Sequence, residues 1–330
     1  MYEPYLPQGD AAALMPGVSY SVPGLFLYAD LIYQCLDQVK KKFDYTIPVA
    51  YSYGSPQVRW NCGRPVLVDH GYTLADMEAE LQGALDRGII PLLTFSIPVM
   101  EPEDLEDHLG NELLALADRL GAGVIVSHSL LRDYILENYP NIELHASVIM
   151  ASFQENRAPA YYEGLARDYS RYVIHPDDNY DRDLLVQVPK DRAEIILNER
   201  CVYQCRQRGD HYLANTRDQA AVLEGSGDFT GFLERCPFVP DFKQRETKGR
   251  NISLTAREAA ELAGLGFRLF KLQGRLDIPY VFFFDFLRYT LENEVCFPAF
   301  YPAFCFSIRQ HLKVKEQWRR ERTQQREGLL

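Results

Sequence analysis

Short apolar runs rich in β-branched and aromatic residues alternate along the chain with longer stretches whose apolar residues recur at helical spacing. The first kind predicts strands over 45–53, 89–96, 123–127, 142–147, 171–175, 193–198 and 268–272, with a weaker one near 251–254. The second kind predicts helices over 73–87, 103–120, 130–138, 160–169 and 255–263, the first of them capped by Thr73 with Asp76 three residues on. Eight alternating units of this kind predict an α/β chain folded as a (β/α)8 TIM-type barrel. A doubly wound dinucleotide fold is disfavoured, because no Gly-rich fingerprint follows the first predicted strand.

The same pattern divides the chain. Residues 1–40 are expected to form a leader and a helix, 41–295 the barrel, and 296–330 a helical extension ending in a charged tail. The run 280–289 is apolar on nearly every side, which predicts a buried helix or a subunit contact. The segment 296–306, with its rings, prolines and two thiols, is expected to fold over one mouth of the barrel. The glycines of 225–231 predict a flexible loop.

With 330 residues, 47 % of them hydrophobic and 25 % charged, the chain can bury a large core. No apolar run approaches the roughly 18 residues of a membrane span, and no basic-apolar signal opens the sequence, so the expected location is cytoplasmic. Seven irregularly spaced cysteines predict reduced thiols rather than a disulfide framework. A formal net charge of −11 works against unspecific binding to phosphate backbones.

In a barrel of this kind the chemistry gathers where the strands end. Those positions here carry His128, His145, His175, Asn198, Glu199, Lys271 and Gln273, with Arg275 two residues further on. Glu199 is a candidate general acid or base, and His145 and His175 are candidates for proton transfer. Alternation points Lys271, Gln273 and Arg275 the same way, as an anchor for a carboxylate or phosphate, while an ion pair with Glu143 or Glu199 would make the cations structural. His128 and Asn198 complete the candidate substrate-binding set. Beside Glu199 stand Cys201 and Cys205, spaced to face one metal, and Cys236 follows after the glycine loop. Thiolates suit an iron–sulfur cluster or zinc, and Arg200, Arg206 and Arg208 favour the thiolate form. A zinc site would use Cys201, Cys205, Cys236 and His211. Ordinary buried thiols are the third reading.

Two further segments carry a resemblance. Glu143-Leu144-His145-Ala146-Ser147 and Gly266-Phe267-Arg268-Leu269-Phe270-Lys271-Leu272-Gln273-Gly274-Arg275 resemble strands of the collagenase-like peptidase family, with the cysteine segment between them as in that family. The likeness spans about residues 90 to 290. It implies a barrel carrying a four-iron four-sulfur cluster, and an activity like that of the members that hydroxylate a ubiquinone precursor or an RNA base without oxygen, with prephenate as oxygen source for some. It implies Cys201, Cys205 and Cys236 as ligands, with Cys296 or Cys305 as the fourth by sequence order. The cysteine spacing departs from the family's.

The resulting expectation is an iron–sulfur oxidoreductase, hydroxylase-like, acting on a small molecule, peptide or RNA. A collagenase-like peptidase or metal hydrolase is the alternative, although neither a Gly-x-Ser-x-Gly elbow nor a His-Glu-x-x-His helix occurs. A non-catalytic accessory subunit, in a hetero- or homo-oligomer with a related barrel protein, is the third.

Overall fold

The structure, a computed structural model, describes residues 6–61, 72–232, 252–274 and 279–326. Eight parallel strands, β1 (Ser19–Pro23), β2 (Val49–Gly54), β3 (Ile90–Phe95), β4 (Gly123–Val126), β5 (Leu144–Ala146), β6 (Arg171–Val173), β7 (Ala193–Ile196) and β8 (Leu269–Lys271), close in chain order into a barrel. The last pairs with the first through Ser19↔Leu269 and Ser21↔Lys271. Around them lie α1 (Ala29–Phe43), α2 (Leu74–Leu85), α3 (His108–Leu120), α4 (Ser129–Asn138), α5 (Val148–Ser152), α6 (Pro159–Asp168), α7 (Arg182–Gln187), α8 (Arg208–Glu224) and α9 (Ala256–Gly264). Two more helices, α10 (Pro279–Thr290) and α11 (Cys296–Arg326), follow β8. The fold is thus the predicted (β/α)8 barrel with a C-terminal helical extension.

Local signals set the helix ends. Thr73 and Asp76 close a capping box on α2, and Thr255 and Glu258 do the same on α9. Asp107 accepts from the Gly110 amide to start α3, which stops at Gly121 in the left-handed region. Tyr20, Val22, Phe95, Val126, Tyr172 and Phe270 point outward into the layer shared with the helices. Tyr51, Tyr53, Leu92, Ile125 and Leu269 form a separate buried cluster inside the barrel, as period-2 alternation requires.

Seven strands match the expected ones, and two differences concern the ends of the pattern. The barrel begins at Ser19, inside the stretch assigned to the leader: β1 is five residues long and its inward positions are serines, so Tyr20 and Val22 are the large apolar residues that mark it. Residues 252–254 add no strand. Leu254 instead donates its amide to the Leu197 carbonyl at 2.8 Å, just past β7, and the side chains of Ile252 and Leu254 are buried. The segment expected to cover a mouth, 296–306, is the start of α11, whose Phe300 and Phe304 are buried, with the Phe300 ring 6.1 Å from that of Phe43 on α1. No described helix is long and apolar enough to cross a membrane.

Gly54 ends β2 against the β1–α1 connection, where a Cβ would run into the Leu25 carbonyl oxygen. Backbone on both sides leaves no flexible group to yield. Gly54→Ala is therefore expected to cost about 1–3 kcal/mol, read from the urea midpoint at constant m-value. An unchanged midpoint would show that the two segments are not packed this closely.

Candidate active site at the barrel mouth

The chain leaving β7 turns sharply before α8 begins. Gln204 sits in the left-handed region at φ 52°, and its amide donates to Asp177 Oδ1 at 3.1 Å. This turn folds residues 201–205 back so that the Cys201 and Cys205 thiols are close neighbours. The neighbouring Cys201 thiol lowers the Cys205 thiol below its ordinary value against the effect of burial, helped by the Gln207 amide and the Arg208 guanidinium. The neighbouring Cys205 thiol and burial push Cys201 up.

Arg208, the first residue of α8, is buried and held on three sides. Its Nη2 donates to the Val202 carbonyl at 3.1 Å and lies 3.4 Å from Asp177 Oδ1, while Nη1 lies 2.8 Å from His175 Nε2. A guanidinium only donates, so His175 Nε2 accepts. The neutral ring then keeps its proton on Nδ1, which faces Asp177 Oδ2 at 3.5 Å. Burial, then Arg208 and Arg157, lower the His175 pKa to about 2. Both ring nitrogens are engaged, and the imidazole stays neutral.

Glu199 follows β7 with its carboxylate fixed from two directions: the Gln273 amide donates to Oε2 at 2.6 Å and the Cys201 amide to Oε1 at 3.1 Å. Asn198 locks the neighbouring strand end, accepting from the Gln273 amide at 2.7 Å and donating to the Gln273 carbonyl at 3.0 Å. It also donates to Asp285 on α10, the carboxylate that pairs with Arg200 at 3.1 Å. Asn198, Glu199 and Gln273 are thus brought together beside the thiols.

Lys271 lies below them, inside the barrel. Its Nζ is 3.0 Å from Glu194 Oε2 and 4.2 Å from the centre of the Tyr53 ring, and Ser21 donates to the other Glu194 oxygen at 2.6 Å. Burial raises the Glu194 pKa, but Lys271, His145 and Ser21 together hold it below its ordinary value. The expected anion anchor is thereby neutralised, by Glu194 rather than by Glu143 or Glu199. His145 is also interior: its Nε2 pairs with Glu143 Oε1 at 2.9 Å, and its ring meets that of Tyr51 edge-on.

The remaining candidates disperse. His128 caps α4, its Nδ1 accepting from the Leu130 amide at 3.2 Å. Cys296 is buried at the start of α11, where its charged neighbours are Glu292 and Lys42. Cys305 lies further along α11 beside Tyr301. Cys236 and Arg275 lie outside the described residues. Among the described residues no group of three or more His, Cys, Asp or Glu side chains converges as a metal site. The contacting thiols nevertheless fit two adjacent positions of a cluster or zinc site in donor chemistry. Sequence reasoning missed Asp177 and Glu194 as partners and gave Arg208 only a general charge role. The signal available was an acidic residue two positions past His175 and a lone Glu inside an otherwise apolar strand.

These features define a (β/α)8 barrel protein with a polar mouth built around a thiol pair. No protein-family model matches the sequence, and no curated protein is similar to it. Among solved structures the chain is similar to one described as that of the U32 peptidase Mk0906, at 14% identity and a TM-score of 0.49, over 83% of this chain and 95% of that one.

Proposed function

We propose that the chain is an enzyme of redox tailoring, most simply oxygen-independent hydroxylation of a small molecule, peptide or RNA, with Cys201 and Cys205 as two ligands of an iron–sulfur centre at the mouth. The observation that carries this reading is the contact between the two thiols next to a buried guanidinium, Arg208. Two soft donors side by side, with a cation to offset their charge, are the surroundings a cluster needs. Bound there, the cluster would supply one-electron chemistry. Cys236 is the third ligand in this proposal.

The chain's own residues then have separable tasks. Glu199, oriented by Gln273 and by the Cys201 amide, holds or releases a proton beside the centre. His175 keeps Arg208 in place instead of moving protons, since Nε2 accepts from Arg208 and Nδ1 faces the Asp177 carboxylate. Asn198 fixes the ends of β7 and β8 relative to one another.

The test is iron, sulfide and zinc content, with an absorption spectrum, on protein purified without oxygen, alongside Cys201→Ala and Cys205→Ala. About four irons and four sulfides per chain, lost in both variants, are expected. Protein without iron would overturn the reading. A second reading, collagenase-like peptide hydrolysis, is favoured by the thiolate character of Cys205, which suits a nucleophile. Peptide cleavage by metal-free protein, abolished by Cys205→Ala, would establish it instead.

A further inference from the structure

The loop between β7 and α8 carries the thiol pair and is gripped between the two sulfurs by a carboxylate to which the proposed chemistry gives no task. Asp177 belongs to the short 3-10 helix Pro176–Tyr180, which follows β6. It is 9 % exposed, and its Oδ1 accepts from the Gln204 amide at 3.1 Å. The same carboxylate faces Arg208 at 3.4 and 3.5 Å, and Arg208 in turn donates to the Val202 carbonyl at 3.1 Å. The backbone groups on either side of Tyr203 are thus tied to one buried ion pair. The Tyr203 ring itself meets that of Tyr180, from the helix that carries Asp177, edge-on at 6.0 Å.

Gln204 is the residue that needs holding. Its φ of 52° lies where a side chain is uncommon and glycine is at ease. Released, the backbone there favours extended or right-handed conformations, and the segment would open and part the thiols. A buried carboxylate that accepts the Gln204 amide offsets the cost of the turn, because a hydrogen bond to a charged group is stronger than one between neutral groups. We infer that Asp177 is the positioning residue of the thiol pair: by binding the Gln204 amide and Arg208 together it keeps the turn left-handed and the two sulfurs side by side before any metal or substrate arrives. The inference rests on the proposed function only in taking this pair as the reactive centre, and the positioning itself requires no iron.

The experiment follows bridging of the pair by phenylarsine oxide on full-length reduced protein after chelation of any bound metal. The arsenic exchanges its oxygen for two sulfurs, and the two thiol protons leave with that oxygen as water. Bridging is read as protection of Cys201 and Cys205 from iodoacetamide in the tryptic peptide that runs from Cys201 to Arg206. Asp177→Asn is expected to slow bridging about tenfold or more, because thiols no longer held together present a lower effective concentration to the second arsenic–sulfur bond. Alkylation by iodoacetamide alone should not slow, since Asp177 sets a negative charge near Cys205 and its removal cannot disfavour the thiolate. Gln204→Gly added to Asp177→Asn should recover most of the lost rate, as glycine adopts the turn unaided. Gln204→Val disfavours positive φ while leaving Asp177 beside Arg208; it should show the same loss, and it decides the question if Asp177→Asn does not fold. Undiminished bridging in either single variant, a loss matched by equally slowed alkylation, or no recovery with Gln204→Gly would overturn the assignment. Protein that carries no iron leaves this result intact, and failure here leaves the metal analysis intact.

Discussion

Lys271→Met is expected to lower the stability of the fold by about 3–5 kcal/mol at pH 7, the largest effect of any single change considered, because it strands a buried carboxylate. Glu194 is 1 % exposed and has two partners for its oxygens, Lys271 and Ser21. With the ammonium gone, one oxygen keeps only a neutral donor and the other none, and the group must take up a proton or admit water. Removing the charge along with its partner should recover much of the loss, so Lys271→Met with Glu194→Gln is expected to be more stable than Lys271→Met alone. Urea unfolding of the two singles and the double gives the coupling energy. Simple additivity of the two changes would rule out the pair as a buried unit.

The second large effect is on acid stability. His175 is neutral in the fold, its pKa lowered to about 2 by burial and by the guanidiniums of Arg208 and Arg157. Unfolded, it titrates near the ordinary histidine value of about 6.5. The contribution is therefore fully present above pH 6.5. Below that the unfolded chain binds a proton that the native state refuses, and stability falls with pH until the folded pKa is reached. Between pH 7 and pH 5 the loss is about 2 kcal/mol. His175→Gln, which retains a polar group for Arg208, should remove that slope while leaving the losses due to carboxylates. Parallel stability curves for the two proteins from pH 7 to pH 5 would show that His175 is protonated in the fold as readily as outside it.

The barrel could be read from the sequence because seven strands carry outward residues large enough to mark them, and because α2 and α9 announce their starts with Thr73 and Thr255. β1 escaped because its inner face is polar for a reason that lies far away in sequence: Ser21 points inward to bind Glu194. The mouth was legible as a set of residues and not as a set of bonds. Glu199, Asn198 and Gln273 were placed together, yet that Asn198 would span β7, β8 and α10 depends on Asp285, which the apolar pattern assigns to a buried helix. Lys271 and His175 show the general limit. Both stand at strand ends where a free cation or base is useful, and both are committed to partners on other elements, Glu194 on β7 and Arg208 on α8, which periodicity alone does not pair.

The junction between β8 and β1 has a kinetic consequence. The Tyr20 hydroxyl donates to the carbonyl of Tyr289, a contact spanning 269 positions of the chain, and the Ser19–Ser21 ladder can form only with β8. A ribosome must therefore release almost the whole domain before its first strand finds a second neighbour. Until then β1 is an open edge able to pair with the wrong chain, so the nascent protein is expected to need chaperone shelter longest at its earliest-made strand.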